Sequence, residues 1–160
     1  MIAGKINFKT QGDGMNRYPL LIVFILLALC WFLSWFFPLS LGLGRTGEVA
    51  GFLIISVGIF LLIIAVGVFM ARKTTVIPTR APDKLVTDGI YRITRNPMYL
   101  GMLLILTGFT LMMDTVSGLV CPVLFFFIMD YTVIPREEKV VEGVFGEAYL
   151  KYKSHTRRWI

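Results

Sequence analysis

The sequence has few charged residues for its length: Asp, Glu, Lys and Arg make up 16% of its 160 residues, whereas 56% are hydrophobic. A soluble domain is typically about 25% charged and about 45–50% apolar. A chain of this size has much surface for its volume, so a soluble fold could not hide that apolar fraction from water. The composition therefore excludes a typical soluble domain, and it also excludes a disordered chain, which requires low hydrophobicity.

Histidine and cysteine are also scarce, with one His and two Cys in the whole chain. Cys30 and Cys121 both lie in apolar runs, and they form neither a metal-binding spacing nor a disulfide framework. His155 lies in a basic tail and has no evident partner. We therefore expect no metal site.

Long apolar runs are abundant, and four of them occupy residues 18–37, 49–71, 97–113 and 116–134. A membrane-spanning helix needs about 20 mostly apolar residues, with a range of about 17–25. The first run is too long for the core of a signal peptide, and no small-residue cleavage site follows it. The third run is near the lower length limit, and the short turn after it predicts an antiparallel helical hairpin with the fourth. Gly101 and Gly108 in the third run permit close approach of a lipid tail or of another helix.

The basic residues are distributed unevenly between the two sides of these runs. Fifteen of the sixteen Lys and Arg residues fall in the amino-terminal tail, the loop 72–96 and the tail 135–160, and only Arg45 falls in the opposite loops. Basic residues in short loops remain on the cytoplasmic side. Four spans with both termini cytoplasmic satisfy this bias, and membrane lipids with anionic headgroups account for the net charge of +6. No nucleic-acid partner is expected, because the basic residues are interspersed with acidic ones and show no groove-reading motif.

The loop 72–96 is long enough to carry function. It contains turn signals at Ile77-Pro78, Ala81-Pro82 and Asp88-Gly89, but also several apolar residues. We expect it to be an ordered segment lying against the membrane face.

The tail 135–160 begins as a predicted amphipathic helix, since apolar residues from Val140 to Tyr152 recur at steps of three and four. Gly143 and Gly146 weaken this helix and predict a kink or a close backbone contact. The helix either lies on the headgroups or covers a site formed by the loop. Trp159 is expected to anchor the tail. Together these patterns predict an all-α polytopic membrane protein of about four transmembrane helices, including a C-terminal hairpin, plus a cytoplasmic amphipathic helix, as one domain over residues 1–160.

The loop and the tail carry linked motifs. Residues 85–101 read L-V-T-D-G-I-Y-R-I-T-R-N-P-M-Y-L-G, and Glu137-Glu138, Phe145-Gly146, Tyr149, Tyr152 and Arg157-Arg158-Trp159 follow after the hairpin. This order resembles the integral-membrane methyltransferases that include isoprenylcysteine carboxyl methyltransferases and phospholipid N-methyltransferases. Their pattern is roughly L-V-T-x-G-x-Y-x-x-x-R-H-P-x-Y-x-G, a helical hairpin and then a Glu-Glu pair.

The resemblance implies that S-adenosylmethionine binds on the cytoplasmic side. It places the following residues in the cofactor pocket: Lys84, Leu85, Val86, Tyr91, Asn96, Pro97, Met98, Tyr99 and Glu137. Asn96 stands where the family has histidine, and its amide can form hydrogen bonds but cannot carry charge or shuttle a proton. Val133 stands where the isoprenylcysteine branch has an arginine.

Glu138 and Arg95 are the candidate catalytic residues. A carboxylate acceptor is already nucleophilic, but a protonated amine needs a base, and Glu138 is the candidate for that role. Arg95 alternatively marks the membrane boundary. Asp130 is an ionisable residue within a span and therefore a functional candidate, or it reaches towards Arg136 or the headgroups.

The predicted function is transfer of a methyl group from S-adenosylmethionine to a lipophilic acceptor at the cytoplasmic membrane face, such as the carboxylate of a prenylated thioether. N-methylation of a phospholipid amine is one alternative. A non-catalytic membrane binding or assembly protein that retains the fold is another. A transporter subunit is disfavoured because no broken-helix repeats are evident.

Overall fold

The computed structural model describes residues 19–72 and 84–160. These residues form six α-helices: α1 (Pro19–Phe36), α2 (Gly44–Ala71), α3 (Pro97–Met112), α4 (Val120–Ile128), α5 (Ile134–Phe145) and α6 (Glu147–His155). Short 3₁₀ turns lie at Gly89–Arg92 and Ser117–Leu119, and the π-helical segment Met129–Val133 joins α4 to α5. No β-strand occurs in either described range. The turn signals at Ile77-Pro78 and Ala81-Pro82, the basic residues of the first tail, and Lys73 and Arg80 lie outside the described residues.

Three helical runs of the described chain are long and apolar enough to cross a membrane: α1, α2 and the continuous run Ser117–Phe145. Helix α3 is apolar but has 16 residues, or about 24 Å at about 1.5 Å per residue. These runs confirm the prediction of an all-α polytopic membrane protein.

Two helical runs extend beyond the spans that the sequence predicts. Helix α2 begins at Gly44 rather than at 49, because Arg45 and Glu48 are exposed at its end and do not stop the helix. The last span was expected to end at 134 and to be followed by a separate helix. Instead the chain stays helical past Pro135, after a π-helical turn, and continues to Phe145. The kink predicted at the glycines occurs at Gly146, whose φ is +51°, a conformation that glycine adopts readily.

Helices α2 and α3 pack antiparallel through glycine. A Cβ atom on Gly51 would lie 2.4 Å from the carbonyl oxygen of Gly108, and one on Gly101 would lie 2.7 Å from that of Gly58. Small residues allow transmembrane backbones to approach this closely. The sequence left open whether Gly101 and Gly108 admit a lipid tail or another helix, and the structure shows that they admit helix α2. Helix α3 contacts α2 far more extensively than it contacts α4, its neighbour in the predicted hairpin.

Helices α1 and α4 pack against α3 around the main buried core, where Cys30, Leu106, Cys121 and Phe125 are fully buried. At one end of the molecule the side chain of Asp114 accepts hydrogen bonds from the Ser40 hydroxyl (2.6 Å) and the Leu43 amide (3.0 Å). These bonds join the two loops at that end. The loop and tail segments that carry the motifs lie at the opposite ends of the same helices.

Candidate functional site

The first motif-bearing segment packs against the last turns of α2. Val86 and Tyr91 are buried with Ala65, and Met98 packs against them. The ring of Tyr91 meets Phe69 edge-on, with 5.3 Å between ring centroids. Residues of the loop between 84 and 92 therefore pack against the helices, and their expected position against the membrane face stays a prediction.

The hydroxyl of Tyr91 is buried and has no hydrogen-bond partner among the described residues. A buried hydroxyl without a partner is unfavourable by about 1–3 kcal/mol, so it is a natural position for a polar group of a ligand. Burial raises the pKa of Tyr91 well above its ordinary value, and the hydroxyl is therefore neutral. Its backbone carbonyl accepts a hydrogen bond of 2.6 Å from the Tyr152 hydroxyl, which ties the loop to α6.

A hydrogen bond between side chains joins the first motif to the Glu-Glu pair. The Tyr99 hydroxyl, on the first turn of α3, donates to Oε1 of Glu137 on α5 at 2.7 Å. Tyr99 is buried in the main core, and its chain neighbour Met98 packs against the buried cluster around Tyr91. The structure thus joins Tyr99 of the first motif directly to Glu137 of α5, and Met98 connects this contact to the cluster around Tyr91.

The second glutamate, Glu138, is held by two arginines. Its Oε1 accepts hydrogen bonds from Nη2 of Arg95 (2.9 Å) and Nε of Arg158 (3.3 Å), and its Oε2 accepts one from Nη2 of Arg158 (3.0 Å). The side chains of Glu138 and Arg95 are only 9% and 10% exposed. Glu138 and Arg95, the two predicted catalytic residues, therefore form a hydrogen-bonded ion pair with each other. Assignment of Glu138 as a base stays a prediction, since guanidinium donors engage both of its oxygens.

The C-terminal segment, residues 156–159, folds back onto the first motif. Nη1 of Arg95 donates to the carbonyl of Thr156 at 2.6 Å, and Nδ2 of Asn96 donates to the carbonyl of Arg158 at 3.0 Å. The Thr94 hydroxyl donates to the same Arg158 carbonyl at 3.1 Å. In the place of the family histidine, Asn96 thus acts as a hydrogen-bond donor to the C-terminal segment.

Asp130, in the last spanning run, binds the side chains of two residues in the C-terminal segment. Its Oδ1 accepts hydrogen bonds from Nη1 of Arg158 (3.0 Å) and from the indole of Trp159 (2.9 Å), whose ring lies 5.1 Å from that of Phe126. The partner predicted for Asp130, Arg136, is therefore not the one observed, because the tail folds back and Arg136 is exposed on α5. The expected anchoring by Trp159 is seen in the structure. Hydrogen bonds from Arg158 to Glu138 and to Asp130 raise the pKa of Arg158 above its ordinary value, although burial opposes them.

Sequence reasoning did not find Arg158 as a site residue, although it placed Arg158 in the basic end of the motif. Of the predicted cofactor residues, Pro97 is buried in the first turn of α3. The side chain of Lys84 is exposed and that of Leu85 is half-buried, and neither belongs to the buried cluster around Tyr91. Their predicted roles, like those of the other cofactor residues, stay predictions.

The fold and these contacts define a multi-pass membrane protein with a charged, hydrogen-bonded site at one end of its helices. The model of a known family, phospholipid methyltransferase, matches residues 46–148 of the chain. The chain belongs to this phospholipid methyltransferase family, and the suspected membership in a membrane methyltransferase family is confirmed. It is also 36% identical to an uncharacterized protein of Haemophilus influenzae over 63 residues, which is 39% of this chain and all of that protein. The family match includes the whole first motif and the Glu-Glu pair, and it ends before the C-terminal segment.

Proposed function

We propose that this protein transfers the methyl group of S-adenosylmethionine to a lipophilic acceptor, acting as one domain over its 160 residues. One observation supports this most directly: the hydrogen bond of 2.7 Å from Tyr99 to Glu137 joins the two linked motifs. The Tyr91 hydroxyl of the same first motif is buried and has no partner among the described residues. These are residues that the family resemblance assigns to the cofactor, and they come from the first motif and from α5.

The residues present fit a cationic cofactor. S-adenosylmethionine carries a sulfonium and an ammonium group, and it supplies an activated methyl group when bound. The Glu137 carboxylate is suited to one of these cations, and the faces of Tyr91 and Tyr99 can stabilise a cation by about 0.5–2 kcal/mol. The Tyr91 hydroxyl supplies a neutral hydrogen-bonding group, and Val86 and Met98 supply apolar contact.

The contribution of the protein to methyl transfer is mainly orientation. Displacement at a methyl carbon requires donor, carbon and acceptor to lie in line, and well-oriented intramolecular reactions gain up to about 7–11 kcal/mol in this way. The Tyr99 hydroxyl ties the first turn of α3 to α5, the Tyr152 hydroxyl ties the loop to α6, and the Asn96 amide ties the start of α3 to the C-terminal segment. A rigid arrangement of this kind keeps the two reactants in place and excludes water.

We also propose the chemical class of the methyl acceptor. The first candidate is a prenylated thioether carboxylate, which needs no base. A phospholipid amine is the alternative, and Arg95 and Arg158, two cations that could meet a carboxylate, are both paired with Glu138. An amine would instead meet Glu137 or Glu138, either of which would have to take up a proton.

Methyl transfer into a native lipid extract tests the proposal. Purified protein in lipid nanodiscs is given S-adenosylmethionine labelled in its methyl group, and the labelled product is treated with alkali. A methyl ester is hydrolysed and releases volatile labelled methanol, whereas an N-methyl group stays bound to its nitrogen and yields no volatile label. Protein that binds no S-adenosylmethionine although it remains folded would refute the catalytic proposal and leave the non-catalytic binding protein.

Two variants and two controls locate the cofactor site. Tyr91→Phe and Glu137→Gln should each weaken S-adenosylmethionine binding about tenfold, a loss of about 1.4 kcal/mol, which is within the range of about 0.5–1.5 kcal/mol for one hydrogen bond. Tyr131→Phe and Glu147→Gln are matched controls, because both side chains are exposed, and both should bind as the unchanged protein does. Equal affinity in all five proteins would mean that the cofactor binds elsewhere.

We further propose that the site faces the cytoplasm, from the basic residues that flank it. Lys151 is exposed on α6 at this end of the molecule, and Arg45 is exposed at the other. When a membrane-impermeant maleimide is added outside sealed cells, it should label the Arg45→Cys variant and not the Lys151→Cys variant. The Lys151→Cys variant should be labelled only after the cells are opened. Labelling of the Lys151→Cys variant from outside would reverse the proposed orientation.

A further inference from the structure

We propose that Arg158 is a positioning residue. It docks the C-terminal segment, and the docked segment fixes the start of α3, which carries the proposed cofactor residue Tyr99. Its guanidinium bridges two helical segments, since Nη1 lies 3.0 Å from Oδ1 of Asp130 and Nη2 lies 3.0 Å from Oε2 of Glu138. This inference rests on the proposed function for its effect on catalysis. It rests on the geometry alone for the docking.

Four charged residues alternate in sign along this contact: Asp130, Arg158, Glu138 and Arg95. They link the last spanning run, the C-terminal segment, α5 and the first motif. The side chain of Arg158 is 30% exposed and those of Asp130 and Glu138 are 19% and 9% exposed. Charges as buried as Glu138 need partners, because an uncompensated buried charge is strongly unfavourable.

Docking of the segment has a direct consequence for the first motif. The carbonyl of Arg158 accepts hydrogen bonds from Asn96 and Thr94, and the carbonyl of Arg157 accepts one from the amide of Arg95 at 2.9 Å. These three donors immediately precede Pro97, the first residue of α3 and the start of the turn that carries Tyr99. The backbone conformation that presents Tyr99 to Glu137 is therefore held from outside the motif.

Residues 156–159 lie beyond the part of the chain matched by the family model, which ends at residue 148. Asp130 lies within the matched part, on the π-helical segment Met129–Val133. The charged contact thus joins a position inside the matched region to one outside it.

Amide hydrogen exchange tests the docking without any cofactor. The Arg95 amide donates to the C-terminal segment, whereas the Thr94 amide donates locally to the carbonyl of Ile90. In the full-length protein, Arg158→Gln should lower the protection of the Arg95 amide at least tenfold and leave that of Thr94 within about twofold, because exchange reports local opening. Arg157→Gln is the matched control, since only its main chain takes part in the docking and its side chain is exposed. Unchanged protection of Arg95 in Arg158→Gln, or an equal loss in Arg157→Gln, would overturn the proposal.

Kinetics with the same variants test the consequence for the reaction. Arg158→Gln should weaken S-adenosylmethionine binding about tenfold and raise its KM, while the KM of the acceptor changes less than threefold. Arg158→Lys should recover part of the loss, and Asp130→Asn combined with Arg158→Gln should lose less than the two single changes together. A fall in kcat alone, with unchanged cofactor affinity, would overturn the positioning role. If the unchanged protein binds no cofactor, the proposed function fails, and the exchange experiment still decides the docking.

Discussion

The glycine contact between α2 and α3 can be tested with two alanine substitutions in the same helix. A Cβ atom on Gly51 would lie 2.4 Å from the Gly108 carbonyl oxygen, whereas one on Gly67 would have no atom within 4 Å. To reach even 3.0 Å, the backbones of α2 and α3 would have to separate by about 0.6 Å at Gly51. Overpacking of this kind typically destabilises by about 1–3 kcal/mol.

Both substitutions gain the same helix preference, about 0.5–1 kcal/mol for Gly→Ala. The difference between the two variants therefore isolates the steric contact. Gly51→Ala should be less stable than Gly67→Ala by about 1–3 kcal/mol, measured by denaturant or thermal unfolding in one detergent, and Gly67→Ala should be at least as stable as the unchanged protein. Equal stability of the two variants would refute the close antiparallel packing of α2 and α3.

Three further predictions concern other parts of the molecule. Gly146→Ala should destabilise the protein by about 1–3 kcal/mol, because φ +51° and ψ −125° at Gly146 form a conformation that residues with a Cβ atom rarely adopt. Gly143→Ala, inside α5 with open space around it, should stabilise it by up to about 1 kcal/mol, and equal thermal unfolding of the two would contradict the observed break between α5 and α6. Tyr152→Phe should lower stability by about 1 kcal/mol through loss of the hydrogen bond to the Tyr91 carbonyl, and an unchanged unfolding midpoint would argue against that contact. Cys30 and Cys121, both fully buried, should resist a water-soluble thiol reagent in the folded protein and react after unfolding, and rapid labelling of the native protein would contradict their burial.

Tyr149, which lies outside the spans, is expected to make stability depend on pH at high pH. Burial, followed by the nearby Glu138, raises the pKa of Tyr149 to about 12. Because this folded-state pKa lies above the unfolded value of about 10, the neutral form is favoured in the folded protein. Ionisation above pH 10 therefore favours unfolding, so any stability contributed by this group is present below that pH and decreases as the pH rises to about 12.

Much of the membrane architecture follows from local sequence. The lengths of the apolar runs predict the spanning helices because each segment must satisfy its own backbone hydrogen bonds in lipid. Local patterns also predict the amphipathic α5 and the glycine break before α6. The order of the two motifs identifies the family, since it depends only on residue types and spacing along the chain.

The network around Arg158 could not be derived in this way. Asp130 and Arg158 are 28 positions apart, and Asn96 and Arg158 are 62 positions apart. Helical periodicity relates residues three or four positions apart, so it gives no information about contacts over these separations. The sequence marks Asp130 as a charge that needs a partner, but only the folding back of the tail selects Arg158 over Arg136.

The sequence by itself thus determines that this chain is a polytopic α-helical membrane protein of the phospholipid methyltransferase family, because hydropathy, charge and motif order are properties of neighbouring residues. The tertiary structure decides which faces of the helices meet and which charges pair. It packs α2 on α3 through Gly51 and Gly108, and it divides the adjacent glutamates between two environments. Glu137 accepts a hydrogen bond from Tyr99, whereas Glu138 is held by Arg95 and Arg158. Side chains next to each other on a helix point in directions about 100° apart, so packing alone assigns each one its partners.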